Sequence, residues 1–246
     1  MTPLSVETNK NFVVSPKSSG VSQPLEVHHL SHDLRGPLNS ILGFCELLLE
    51  GIEGPLTENQ EADIAAIYQS AQNLLRLISS VVDLSKLEAG RLSFDSIEVD
   101  LGSILEKIMS FDFSTTKPEQ VELIVSLPET LPPVQGDAGR IEQMVMNLVR
   151  FAFKVQRTGA VMLTANHNDQ AVTVQVSIPQ LVLTPEKVAE LFDLAVHVDA
   201  AGRSELGIGG LELPLTRGLV KAHHGQVRAE SEAGIGTTLY LTLPLS

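Results

Sequence analysis

A histidine followed by an aspartate is the first place in this sequence where chemistry can start. In the stretch Ser31-His32-Asp33-Leu34-Arg35-Gly36-Pro37-Leu38-Asn39-Ser40, His32 lies two residues from both Leu30 and Leu34. On a helix that is about 200° around from each. The imidazole therefore points away from the apolar stripe and into solvent. Asp33 can polarise or accept its proton and so raise the nucleophilicity of the other ring nitrogen. Pro37 removes a backbone hydrogen bond and bends the helix just past His32. By itself, a surface His beside an Asp is most simply a solvated face. His28 and His29 lie one turn earlier with no second ligand pair in view, so no metal site is expected. A second candidate is Gly207-Ile208-Gly209-Gly210. Glycines just before a helix can present backbone N–H groups and the helix dipole to a phosphate.

The elements that must position these groups follow from the apolar spacing. Leu30, Leu34, Leu38, Ile41, Cys45, Leu48 and Ile52 recur in threes and fours, which draws one stripe along a helix starting near Leu25. Residues 51–57 break it, with Gly54-Pro55 as the turn signal. Ile64, Ile67, Ala71, Leu74, Ile78 and Val81 then form a heptad seam. Two such helices make a hairpin whose seam is too apolar to stand alone, so a dimeric four-helix bundle is expected. The alternative is packing against the chain's own C-terminal part. From about Gly90 the pattern changes. Strand-like runs are expected at 91–94, 121–127, 160–165, 171–178 and 237–243, with helices at 101–109, 138–155, 185–194 and 213–223. This mixture predicts an α+β sandwich, with helices on one face of a mostly antiparallel sheet. Residues 1–24 read as a flexible tail, rich in Ser, Thr, Pro and Asn. The expected division is therefore 1–24, 25–92 and 93–246.

Composition narrows the partners. The net charge is −13, with no cluster of Lys and Arg, so nucleic-acid binding is not expected. A single cysteine, Cys45, excludes an internal disulfide. It lies on the apolar stripe as a small core residue. The absence of a long apolar run or a basic leader points to a cytoplasmic protein with no membrane contact.

Two segments at matching separation change the weight of His32. His32-Asp33-Leu34-Arg35, followed by Pro37-Leu38, closely resembles the acceptor box of sensor histidine kinases. Val82-Asp83-Leu84-Ser85-Lys86-Leu87-Glu88-Ala89-Gly90 resembles the end of that family's second bundle helix. The resemblance continues over 136–154, 219–225 and 231–244, as the first nucleotide-binding helix, closing helix and hairpin of the family's GHKL-type ATPase domain. It spans roughly residues 25–246. It implies that His32 is the phosphoacceptor, that Asp33 assists as an acid or base, and that a receiver docks on the bundle just below, with Leu38, Ile41, Leu42 and residues near Ser79–Asp83 as candidates, bundle core being the better reading for Ile41 than for Leu42.

The nucleotide site departs from the family pattern. Asn147 matches the family's first Asn, but the Mg²⁺-coordinating Asn four residues later is Phe151, which offers a hard cation no oxygen. Asn147 then has a structural or helix-edge role, while Lys154 can still approach a phosphate. No glycine occurs between Gly159 and Gly202, so the Asp-x-Gly-x-Gly adenine motif is absent. Anchoring on Thr184-Pro185-Glu186 and Phe192 puts Ile178, Gln180 and Val182 in its place. The last glycine motif keeps Gly207, Gly209 and Gly210, but Glu212 stands at its final glycine. A lost charged hydrogen bond costs roughly 1.5–3 kcal/mol. A carboxylate about 5 Å from a phosphate charge costs roughly 3 kcal/mol at an effective dielectric near 20. Together these weaken affinity about 10³-fold, so ATP and Mg²⁺ binding is expected to be weak or absent and no cofactor required. Gly36, where the family usually has Thr or Asn, also removes a side chain that orients water for receiver dephosphorylation.

The expectation is a cytoplasmic homodimeric two-component protein, either an ATP-independent histidine phosphotransferase or a pseudokinase. Its partner is a receiver domain or another kinase. The alternatives are a binding-only scaffold, or an active kinase with an unusual pocket.

Overall fold

The computed structural model describes residues 23–111, 113, 117–193 and 210–246. Helix α1 spans Gln23–Leu49, beginning two residues before the expected boundary, and α2 spans Glu58–Glu88. Thr57 opens α2 through a capping box: its N–H donates to Gln60 Oε1 at 2.9 Å, and its hydroxyl accepts from the Gln60 N–H. The intervening turn uses Gly51 and Gly54, both at positive φ. Tyr68 donates to Glu46 at 2.7 Å and Arg35 reaches Ser79 at 3.4 Å, fixing the antiparallel register of the hairpin.

Leu38, Cys45, Ala71 and Val82 are buried inside this hairpin. Leu34, Ile41, Ile67, Leu74, Leu77 and Val81 stay exposed on it. The single seam expected from the sequence is thus two faces. Two helices can bury only the residues between them, and the remaining stripe is left outside.

The C-terminal part starts with β1 (Ile97–Val99) and α3 (Leu101–Met109), followed by β2 (Val121–Ser126), β3 (Val134–Gly136) and α4 (Ala138–Val155). Next come β4 (Gly159–His167), β5 (Ala171–Ile178), α5 (Pro185–Glu190), α6 (Glu212–Ala222), β6 (Gln226–Glu232) and β7 (Gly236–Pro244). The main sheet runs β2-β4-β5-β7-β6, with β2–β4 parallel and the other pairs antiparallel, while β1 and β3 form a separate antiparallel pair. Alternation fixes the faces. Val172, Val174, Val176 and Ile178 of β5 and Leu239, Leu241 and Leu243 of β7 are fully buried against the helices. On the outer face, Thr173 meets Thr242 at 3.0 Å and Ser177 meets Thr238 at 3.1 Å.

The run at 91–94 is not a strand. Leu92 and Phe94 pack against the core from irregular backbone, Phe94 meeting the His223 ring edge-on at 4.7 Å. Pairing begins only at Ile97, opposite Gly136. The helix expected at 185–194 ends at Glu190, and Leu194 lies outside the described residues.

At the α4 start, Asp137 accepts from the Arg140 N–H at 3.0 Å, and its own N–H donates to His223 Nε2 at 3.2 Å. His223 therefore carries its proton on Nδ1, facing the Leu219 carbonyl at 2.9 Å. Just beyond, α6 closes in a Schellman pattern: Gly225 N–H to Val220 O at 2.9 Å and His224 N–H to Lys221 O at 3.1 Å. This places His224 at φ +56°, a left-handed position that glycine occupies without steric cost. His224→Gly is expected to raise stability by about 1 kcal/mol. Urea unfolding checks this, and an unchanged or lower midpoint would contradict it.

Candidate functional site

His32 is displayed on α1 with 86% of its side chain exposed, beside an Asp33 that is 80% exposed. Nδ1 lies 3.4 Å from Asp33 Oδ1, longer than an ordinary hydrogen bond but close enough to favour the proton on Nδ1. That tautomer leaves the lone pair on Nε2. The hairpin register puts His32 level with Val82 on α2. Gly36, one turn below, has open space around the position a Cβ would take.

The proposed docking residues divide differently from expectation. Leu38 is 7% exposed and serves the hairpin interior, so it offers a receiver no surface. Leu42 is partly buried, whereas Ile41, expected as the better core residue, is 42% exposed.

The counterpart of a nucleotide site lies between α4 and α6. Asn147 is buried, and its amide donates to Thr216 Oγ1 at 3.2 Å and the Glu212 carbonyl at 3.3 Å. Its hydrogen bonds tie two helices together. Phe151 is 2% exposed in the core, and Ile178 is fully buried at the place of the missing Asp. Gln180 closes the neighbouring loop: its Nε2 donates to Thr158 Oγ1 at 2.7 Å and its Oε1 accepts from the Arg157 N–H at 2.9 Å. The Thr237 hydroxyl is committed to the Leu181 carbonyl at 2.6 Å. Lys154 is paired with Glu212, whose carboxylate lies against Gly210. Gly207 and Gly209 lie outside the described residues.

The sequence reading missed how the hairpin meets this domain. Arg140 of α4 donates to both carboxylate oxygens of Asp83 on α2, at 2.7 and 3.3 Å, and Gln143 adds a contact at 3.4 Å. The pair is 26% and 13% exposed. Asp83, the last residue of the Ser79–Asp83 docking candidates, is thus occupied within the chain. Leu87 packs close to Gly218 of α6. Both charges stood in quoted motifs, but nothing in their spacing joins positions 83 and 140.

A helical hairpin displaying a histidine, followed by an ATPase-like sandwich, defines a phosphoacceptor and catalytic-domain core. Residues 25–90 match the His Kinase A (phospho-acceptor) domain, and residues 136–246 match the histidine kinase-, DNA gyrase B- and HSP90-like ATPase domain. The chain belongs to the sensor histidine kinase family. It is 30% identical over 218 residues to the circadian input-output histidine kinase CikA of Synechococcus elongatus, covering 87% of this chain and 29% of that protein. It is 32% identical over 219 residues to the histidine protein kinase DivJ of Caulobacter vibrioides, covering 88% and 36%. The chain thus spans about a third or less of the length of these curated relatives. Among solved structures, full-length ShkA in complex with AMPPNP aligns at a TM-score of 0.69 and 27% identity, over 91% of this chain and 46% of that one. The Acinetobacter baumannii histidine kinase AdeS shares the fold, with a TM-score of 0.57 at 17% identity over 87% of this chain and 98% of its own. Among the described residues, no helix is long and apolar enough to cross a membrane.

The Asn147 amide is bonded within the chain, between α4 and α6. Asn147→Ala removes both amide hydrogen bonds, while the Thr216 hydroxyl still donates to the Glu212 carbonyl at 2.7 Å, and is expected to cost about 1 kcal/mol of stability. Urea unfolding measures this. A loss below about 0.5 kcal/mol, inside the range of ordinary surface changes, would contradict it.

Proposed function

We propose that this chain is an ATP-independent histidine phosphotransferase of a two-component system, working as a homodimer. One observation carries the reading: His32 stands 86% exposed, while Phe151, at the family's metal-bearing position, is packed 2% exposed in the core. In the transfer step, Nε2 of His32 attacks the phosphorus of a receiver's aspartyl phosphate. The N–P bond forms as the acyl O–P bond breaks, and the receiver's carboxylate leaves. Asp33 holds the Nδ1 proton and spreads the imidazolium charge. The reverse step delivers the group to a second receiver. Such a reaction needs an exposed nucleophile and a docking face, and it needs no nucleotide.

The exposed Ile41, Ile67 and Leu74, which line one apolar groove together with Leu38, Ala66 and Ala71, support pairing with a second copy. The ATP-dependent alternative draws support from the AMPPNP complex of ShkA. The binding-only alternative leaves His32 incidental.

The test uses receiver domains of the source organism, phosphorylated with radiolabelled acetyl phosphate. Acid-labile, base-stable label is expected on this chain and none on the His32→Gln variant. Label from Mg-ATP at His32 would make it a kinase. A His32→Gln protein that keeps full signalling output would make it a scaffold.

Gly36 carries a second expectation. The wild type should leave a phosphorylated receiver intact, and Gly36→Thr, which has room for its side chain, should speed dephosphorylation by about tenfold or more. Brisk phosphatase activity in the wild type would refute it.

A further inference from the structure

The sandwich is docked on the side of the hairpin that His32 uses. Ser31 of α1 and Val82 of α2 are both buried on the facing sides of the two helices. His32 and Asp83 each follow such an inward residue by one position, about 100° further round. In an antiparallel pair, equal steps past inward positions turn both side chains to the same side. The register sets Asp83 level with Ser31, one residue from His32. Ile41 and Leu74 each stand three places after the buried Leu38 and Ala71, about 60° the other way, so the apolar stripe leaves by the opposite side. Arg140 meets Asp83 on His32's side, and the start of α4 therefore stands there too.

Contacts along the end of α2 hold it in place. The Arg140 fork donates to both Asp83 oxygens, at 2.7 and 3.3 Å, with Gln143 adding a bond at 3.4 Å. One turn on, Leu87 fills the space beside Gly218 of α6, where a Cβ would come within 2.8 Å of its Cδ1. Beyond Gly90, Phe94 packs against the His223 ring, and the Asp95 N–H donates to the Asp137 carboxylate at 3.3 Å. These last two contacts tie the chain to the sandwich. The fork sets the angle at which α4 leans on α2, and it lies in the core of neither part.

We propose that the Asp83–Arg140 fork is an autoinhibitory latch. Closed, it keeps the sandwich beside His32 and denies a receiver domain that side of the hairpin. Opened, it frees the docking face and the Asp83 carboxylate together. This rests on the transfer reading at His32. The imidazole is 86% exposed in the closed form, so a small phosphoryl donor reaches it where a folded domain does not. A receiver's apparent affinity falls by the fraction of molecules that are open. An enclosed ion pair suits a latch, because desolvation offsets much of its attraction and a partner's binding can open it.

The experiment follows label on His32 of the full chain from two donors. One is a receiver phosphorylated with acetyl phosphate; the other is phosphoramidate, whose ammonia leaves as the N–P bond forms. Arg140→Gln and Asp83→Asn are each expected to speed transfer from the receiver by about tenfold. The double variant should go no faster, since both changes open one contact. Gly218→Leu, which wedges α6 from α2 and leaves both charges in place, should also speed it. Labelling by phosphoramidate should be equal in wild type and variants, a result that a change in the imidazole itself would not give. The latch is overturned by receiver transfer that is no faster in either charge variant, by a double variant about tenfold faster than each single one, or by phosphoramidate labelling that rises in step. Phosphoramidate labelling of His32 with no transfer from any receiver to any of these proteins would sink the transfer reading, and the latch with it.

Discussion

Helix α4 has to bury a face wide enough to hold the whole sandwich together, and most other features of the C-terminal part adjust to that demand. Ile141, Met144, Val145, Leu148, Val149 and Ala152 are fully buried along its 18 residues, against the alternating valines and leucines of β5 and β7. Phe151 joins this face. Burying a phenylalanine contributes roughly 1.5–3 kcal/mol, and a side chain committed that way cannot also present an oxygen to a cation. On the proposed reading, the position trades a ligand for packing. Asn147 has moved the same way: its amide, which could face a ligand, instead satisfies Thr216 and the Glu212 carbonyl.

The charged residues of α4 lie outside that buried face, and they do the joining. Near its start, Arg140 and Gln143 hold Asp83 of the hairpin; near its end, Lys154 holds Glu212 of α6. Between them sits Arg150, partly buried, with its Nε unpartnered. One helix thus couples the phosphoacceptor hairpin to the sandwich by a partly buried ion pair near its start. A fork–carboxylate pair as enclosed as Arg140–Asp83 is geometrically selective, but its desolvation offsets much of its attraction. It fixes orientation more than it adds stability.

Long, strongly periodic elements were legible in the sequence. The boundaries expected for α3, α4 and β5 coincide with those observed, because each carries an unbroken apolar period. What escaped were elements too short or too polar to show one. β1 and β3 have three residues each, and β6, Gln226–Glu232, is a half-exposed edge strand of alternating polar residues. Leu92 and Phe94 alternate like a strand, but they alternate into the core from irregular backbone. In the hairpin, periodicity marked apolar positions without saying which neighbour each would face. That is why Leu38 and Ile41 exchanged roles. At the site, His32 was legible because its exposure follows from helical phase alone. The contact of Arg140 with Asp83 was not, since it depends on how two separately folded parts dock.

The two halves of a histidine kinase core place different demands on a sequence, and the proposed transfer reaction needs only those of the first. Accepting a phosphoryl group requires a nucleophile in solvent with its tautomer biased, and His32 with Asp33 meets that requirement on a single helix turn. Donating one from a nucleotide requires several groups preorganised around a metal and a base, drawn from α4, the loop after β5 and the α6 start. Replacing any one of them weakens the whole set. The resemblance places Phe151, Ile178, Gln180, Val182 and Glu212 at five such positions. A site lost by drift alone would leave cavities and unpaired polar atoms. Phe151 and Ile178 are packed, and Gln180 and Glu212 are bonded, where they stand, whereas Val182 is left 56% exposed, and Arg150 Nε is the buried donor still lacking a partner among the described residues.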